Sequence, residues 1–134
     1  MTAVSTSEGQ PVARGFPALH DARYPAHRIA ERLEPFLGVI VEKIRPEKII
    51  LFGSYAYGEP DEHSDVDLLV VRKNIASEKA SNLEIRDAFE SVPGPLFSFT
   101  ILSKTPERIA ERLAVHSAFY EEIVGKGLEL YAAA

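Results

Sequence analysis

A chain of 134 residues has room for one hydrophobic core and not for two. Its 15 Lys and Arg against 20 Asp and Glu leave a formal net charge of -5, which lacks the basic footprint of a nucleic-acid binder. The absence of cysteine excludes disulfides and thiolate metal sites, and no apolar run approaches the length needed to cross a bilayer. His20, His27, His63 and His116 are scattered without zinc-type spacing. The start of the chain lacks the charged-then-apolar layout of a signal peptide, so a cytoplasmic protein is expected.

Residues 1–25 are rich in Ser, Thr, Gly, Pro and Ala with no sustained period. They are expected to form a flexible N-terminal arm, leaving residues 26–134 as the domain. Phe16, Leu19 and Tyr24 are the side chains through which such an arm would order on a partner. Over residues 27–45, Ile29, Leu33, Leu37, Ile40 and Ile44 recur at threes and fours, the spacing of an amphipathic helix. Pro35 either kinks that helix or opens a second one, and Pro46 ends the pattern.

Residues 49–52 are β-branched or aromatic and too few for a helix, so they read as a buried strand. A short helical turn at residues 55–57 and a loop with Gly58, Pro60 and the acidic pair Asp61-Glu62 separate it from a second strand ending at Val71. Residues 77–91 read as a helix that buries Ile85, Ala88, Phe89 and Val92 and stops at Pro93-Gly94-Pro95. In a third strand over residues 96–102, alternation puts Phe97, Phe99 and Ile101 on one face and Ser98 and Thr100 on the other. Thr105-Pro106 is a helix start with an N-cap hydroxyl before a proline, and Ile109 and Leu113 are its expected core contacts. A last helix over residues 117–124 and a short edge strand over 128–131 complete the chain. The fold class is α/β, a small mixed sheet with helices packed on it.

The chemistry is concentrated in residues 49–71. The first strand ends on Gly53-Ser54, where a missing Cβ and a hydroxyl suit a backbone that approaches a phosphate. Asp65 and Asp67 open the second strand, and the period of two puts them on one face, roughly 7 Å apart along it. Two carboxylates so placed repel each other unless a cation lies between them. Mg²⁺ suits such a pair, since it takes hard oxygen ligands and is often held by one or two carboxylates plus substrate phosphates. Glu59, Asp61, Glu62 and His63 read as solvated loop charges, and Ser64 as a cap or turn residue. Tyr55 and Tyr57 either pack or stack on a base.

The pattern Gly53-Ser54, ten residues, then Asp65-Val66-Asp67 resembles the signature of the minimal nucleotidyltransferases, relatives of the DNA polymerase β palm. The surrounding words match as well: LFGSYAYGEP before the loop, SDVDLLVV through the second strand, and G-x-x-L-Y at Gly127. The likeness runs over residues 27–131. A lone D-x-D is weak, whereas the full pattern in its strand context is specific.

This resemblance implies that Gly53 and Ser54 bind the phosphates of a nucleoside triphosphate, ATP first among them. It implies that Asp65 and Asp67 are catalytic and hold Mg²⁺, with room for a two-metal site. The reaction implied is transfer of a nucleoside monophosphate, AMP, to an acceptor hydroxyl. Members of the family are often antitoxins paired with a HEPN-type toxin. A third carboxylate usually stands on the neighbouring strand; here Ser98 occupies the expected position, or Thr100 if the register shifts by two. A hydroxyl there makes a catalytically degenerate member the alternative, one that binds nucleotide or neutralises a partner protein without chemistry. The edge strand leaves a homodimer or hetero-oligomer open. Neither a membrane nor nucleic acid is expected as a partner.

Overall fold

The structure is a computed structural model that describes residues 15–95 and 97–134. Four strands form one mixed sheet in the order β3-β2-β1-β4. They are β1 (Lys48–Phe52), β2 (Val66–Val71), β3 (Phe99–Lys104) and β4 (Leu128–Ala132). β1 pairs antiparallel with β2 and with β4, whereas β2 pairs parallel with β3. The helices are α1 (Ala30–Val39), α2 (Ser54–Tyr57), α3 (Glu78–Phe89), α4 (Pro106–Ala114) and α5 (Ala118–Lys126).

The two sheet faces differ in how they are covered. On the first, Ile49, Leu51, Val66, Leu68, Val70, Phe99 and Ile101 join one core with Leu33, Leu37 and Ile40 from the helix before β1 and with Ile85 and Phe89 from α3. On the second, Phe52, Leu69 and Val71 meet Ile123 of α5, with Ile50, Leu102 and Ile109 partly buried beside them. The second face is the one that carries Asp67, because Asp67, Leu69 and Val71 share the period of two.

The helix expected over residues 27–45 is a succession of three winds. A 3₁₀ turn at Pro25–Ile29 leads into α1, and a π turn at Ile40–Ile44 follows it. Pro35 lies inside α1 with its ring exposed, and neither ends the helix nor opens a second one. Arg45 closes the run in the left-handed conformation with φ 55°.

Of the arm expected over residues 1–25, residues 1–14 lie outside the described residues. Residues 15–25 do not behave as an arm. A 3₁₀ turn at Pro17–His20 buries Leu19, and Phe16 and Leu19 both belong to the main core. Burial of two large apolar side chains stabilises this segment by about 1.5–3 kcal/mol each, enough to hold a short turn in place. The third strand is displaced in the same way, starting at Phe99 and running to Lys104 rather than over 96–102.

α3 runs along the outer side of β3 and finishes its edge. Glu78, Asn82 and Arg86, one turn apart on the helix, each meet an outward-pointing backbone group of β3. Ser103 N donates to Glu78 Oε2 at 3.1 Å. Asn82 Nδ2 donates to the Ile101 carbonyl and Arg86 Nη2 to the Phe99 carbonyl, both at 3.0 Å. The fully buried Ser103 hydroxyl donates to Asn82 Oδ1 at 2.6 Å and accepts from Ser81 at 2.8 Å. Replacing Asn82 with alanine leaves the Ile101 carbonyl and the Ser103 hydroxyl each short of a partner. The expected cost is about 1–3 kcal/mol, read as a lower urea midpoint with an unchanged slope.

Candidate active site

β1 delivers the chain to Gly53, whose φ of 75° and ψ of -155° lie where L side chains are strained. The turn then tightens: the N–H groups of Ala56 and Tyr57 both donate to the Gly53 carbonyl, at 3.0 Å each. This makes α2 a single helical turn that opens at Ser54, and the first N–H groups of such a turn have no partner within it.

Asp67 lies directly opposite Phe52 in the β1–β2 register, one residue from Gly53. A Cβ built on Gly53 would overlap Oδ2 of Asp67 and stand 3.0 Å from its Cγ. The carboxylate therefore occupies the space that any other residue at position 53 would fill with its own side chain. Asp65, two residues back and just outside β2, is exposed. Thr100 is the β3 partner of Asp67, and its Oγ1 donates to Asp65 Oδ2 at 3.3 Å. Burial pushes the Asp67 carboxyl above the usual carboxylate range, and the negative charge of Asp65 adds to the shift.

These two carboxylates fit a divalent cation. Both are hard oxygen donors at one end of one sheet face, and among the described residues neither is paired with a basic side chain. Among the described residues no group of three or more acidic, His or Cys side chains forms a metal cluster, so protein ligands beyond this pair are lacking.

The other residues singled out in the sequence fall elsewhere. Ser98 precedes β3 and is exposed, its carbonyl accepting from Val66 N at 2.8 Å; the parallel register puts Thr100, two residues on, across from Asp67. Asp61 and Ser64 bind each other's segment: Asp61 N donates to Ser64 Oγ and His63 N to Asp61 Oδ1, both at 2.8 Å. Those bonds shape the loop, and Glu62 and His63 are exposed beside them. Tyr55 packs against the main core, and Tyr57 touches both cores. Sequence reasoning passed over Phe119, whose ring lies edge-to-face on Phe52 with centroids 5.8 Å apart. No signal in the sequence marked it, because its contact with Phe52 is made by the packing of α5 on β1.

The family described as Polymerase beta, Nucleotidyltransferase matches residues 38–128, a span that includes Gly53, Ser54, Asp65 and Asp67. The chain is a minimal nucleotidyltransferase. Two proteins of Methanocaldococcus jannaschii are similar to it. One, named "Putative protein adenylyltransferase MJ0141", is 32% identical over 90 residues, which are 66% of this chain and 82% of that protein. The other, named "Putative protein adenylyltransferase MJ1305", is 51% identical over 45 residues, 32% of this chain and 31% of that one. Polymerase β-type nucleotidyltransferases generally use divalent metals, in keeping with the donor set at Asp65 and Asp67. Among the described residues of this nucleotidyltransferase, no helix is long and apolar enough to cross a membrane.

Proposed function

We propose that this nucleotidyltransferase moves AMP from ATP to a hydroxyl on an acceptor protein. The observation that carries the proposal is the Asp67 carboxylate seated against Gly53, with Asp65 beside it and the open turn of α2 adjoining. The printed names of the two similar proteins support adenylyl transfer and a protein acceptor. Gly53 and Ser54 bind the β- and γ-phosphates through the first N–H groups of the turn and the Ser54 hydroxyl. Asp65 and Asp67 hold Mg²⁺, which when bound offsets charge at the α-phosphate and orients an in-line attack. A new bond forms between the acceptor oxygen and the α-phosphorus, the bond to the β-phosphate oxygen breaks, pyrophosphate leaves, and the acceptor's hydroxyl proton passes to solvent. A HEPN-type toxin is the acceptor to try first, with this chain as its antitoxin in a cytoplasmic complex.

A second reading is favoured by Thr100. A neutral hydroxyl stands where a third carboxylate would face Asp67, and it cannot take a proton from an acceptor near pH 7. On that reading the chain binds nucleotide, or its partner, and neutralises without chemistry.

One experiment separates the two. With ATP labelled at the α-phosphate, Mg²⁺ and the candidate acceptor, label appearing on the acceptor supports transfer. Label appearing only with Thr100→Asp supports the degenerate reading. Label from neither, together with no ATP binding and no complex with the candidate partner, would sink both.

A further inference from the structure

We propose that Phe119 is the platform on which the base of the bound nucleotide stacks. The inference rests on the reading of Asp65 and Asp67 as the phosphate end of a nucleotide site. Across the second sheet face the order is Thr100, Asp67, Phe52 and then Phe119. Opposed side chains on neighbouring antiparallel strands lie about 5 Å apart at Cβ. Phe119 is thus two side chains from Asp67, a separation that a ribose spans between an α-phosphate and a base.

Phe119 is also held for the task. Its ring stands at 90° to Phe52 and at 87° to Tyr120, with the second pair of centroids 5.4 Å apart. Two perpendicular contacts fix the plane of the ring, yet the residue keeps 50% of its surface exposed. A large aromatic side chain left half in water gains little for the fold, and α5 has Tyr120 and Ile123 to anchor it. The other aromatic residues beside the site, Tyr55, Tyr57 and Phe52, are engaged in the two cores. Phe119 alone among them combines a fixed plane with a free surface. Base–aromatic stacking depends on the π-face and not on hydrogen-bond readout, so it requires no polar partner beside Phe119.

The test uses the fact that the chain contains no tryptophan, so Phe119→Trp introduces a single indole that can be excited apart from the five tyrosines. With Mg²⁺ present, ATP should quench that emission and inorganic tripolyphosphate should bind without quenching it. In calorimetry, Phe119→Leu, which keeps an apolar contact on Phe52, should weaken ATP binding about 10-fold and leave tripolyphosphate binding unchanged. Equal effects on ATP and tripolyphosphate would overturn the platform while leaving the phosphate site standing. Unchanged ATP binding in Phe119→Leu would overturn it too. If wild-type protein binds neither ligand with Mg²⁺, the underlying site reading fails and the platform with it.

Discussion

Asp67→Asn removes Mg²⁺-dependent ATP binding and yields a protein more stable than the wild type. Both effects come from one carboxylate. Its burial, and the charge of Asp65 beside it, hold its pKa above that of an unfolded chain. The sign of the stability change follows by linkage. Between the unfolded value near 3.8 and the higher folded value the native state binds more protons, so stability falls as pH rises through that window. The destabilisation is fully present above the folded pKa and absent below the unfolded one. Asparagine is never charged, and so removes it. A gain in stability is therefore expected at neutral pH. It should shrink as the pH is lowered toward 4. Thermal unfolding from pH 4 to 8 checks the stability, and calorimetric titration with a non-hydrolysable ATP analogue, with and without Mg²⁺, checks the binding. A variant that binds the analogue as tightly as wild type with Mg²⁺ would remove Asp67 from the metal site.

Gly53→Ala is expected to damage both fold and site. At φ 75° and ψ -155° a non-glycine residue carries backbone strain of about 1–3 kcal/mol. The added methyl must also displace the Asp67 carboxylate, whose Oδ2 already lies in that space. Urea unfolding should show the stability loss, and Mg²⁺-dependent ATP binding should fall by more than 10-fold. The two contributions separate in a double-mutant cycle. In an Asp67→Ala background the overlap is gone and only the backbone strain remains, so Gly53→Ala should cost less there. Equal costs in the two backgrounds would mean that glycine serves the turn and not the approach of Asp67.

The parts of the fold that were legible in the sequence are those whose signal is local. β1 and β2 are short runs of β-branched and aromatic residues bounded by turn chemistry, and α4 begins where Thr105-Pro106 announces it, with Thr105 accepting from Arg108 N. The packed segment around Phe16 and Leu19 was missed because turns of four or five residues are too short to show a period. β3 was placed early because its last residues are polar. Ser103 is buried only because Ser81, Asn82 and Glu78 supply its partners from α3. Ile109 and Leu113 read as core residues, yet α4 leaves both partly exposed over a thinly covered face. At the site, the spacing from Gly53 to Asp67 was readable because one hairpin joins them. That Thr100 and not Ser98 lies across from Asp67 was not, since it follows from pairing with a strand more than thirty residues away.

The row of α3 side chains along β3 has a consequence for assembly. A sheet grows without limit only if it has two edges that can each accept a strand, because an open array needs a donor side and an acceptor side. Here one of the two is closed by Glu78, Asn82 and Arg86, and it is the edge nearest Asp67. Strand addition is confined to β4, where two copies can meet about a twofold axis or one foreign strand can dock, and either event ends the series. The same row keeps a second chain from pairing beside Thr100. Growth of the sheet past β3 is closed by these three side chains.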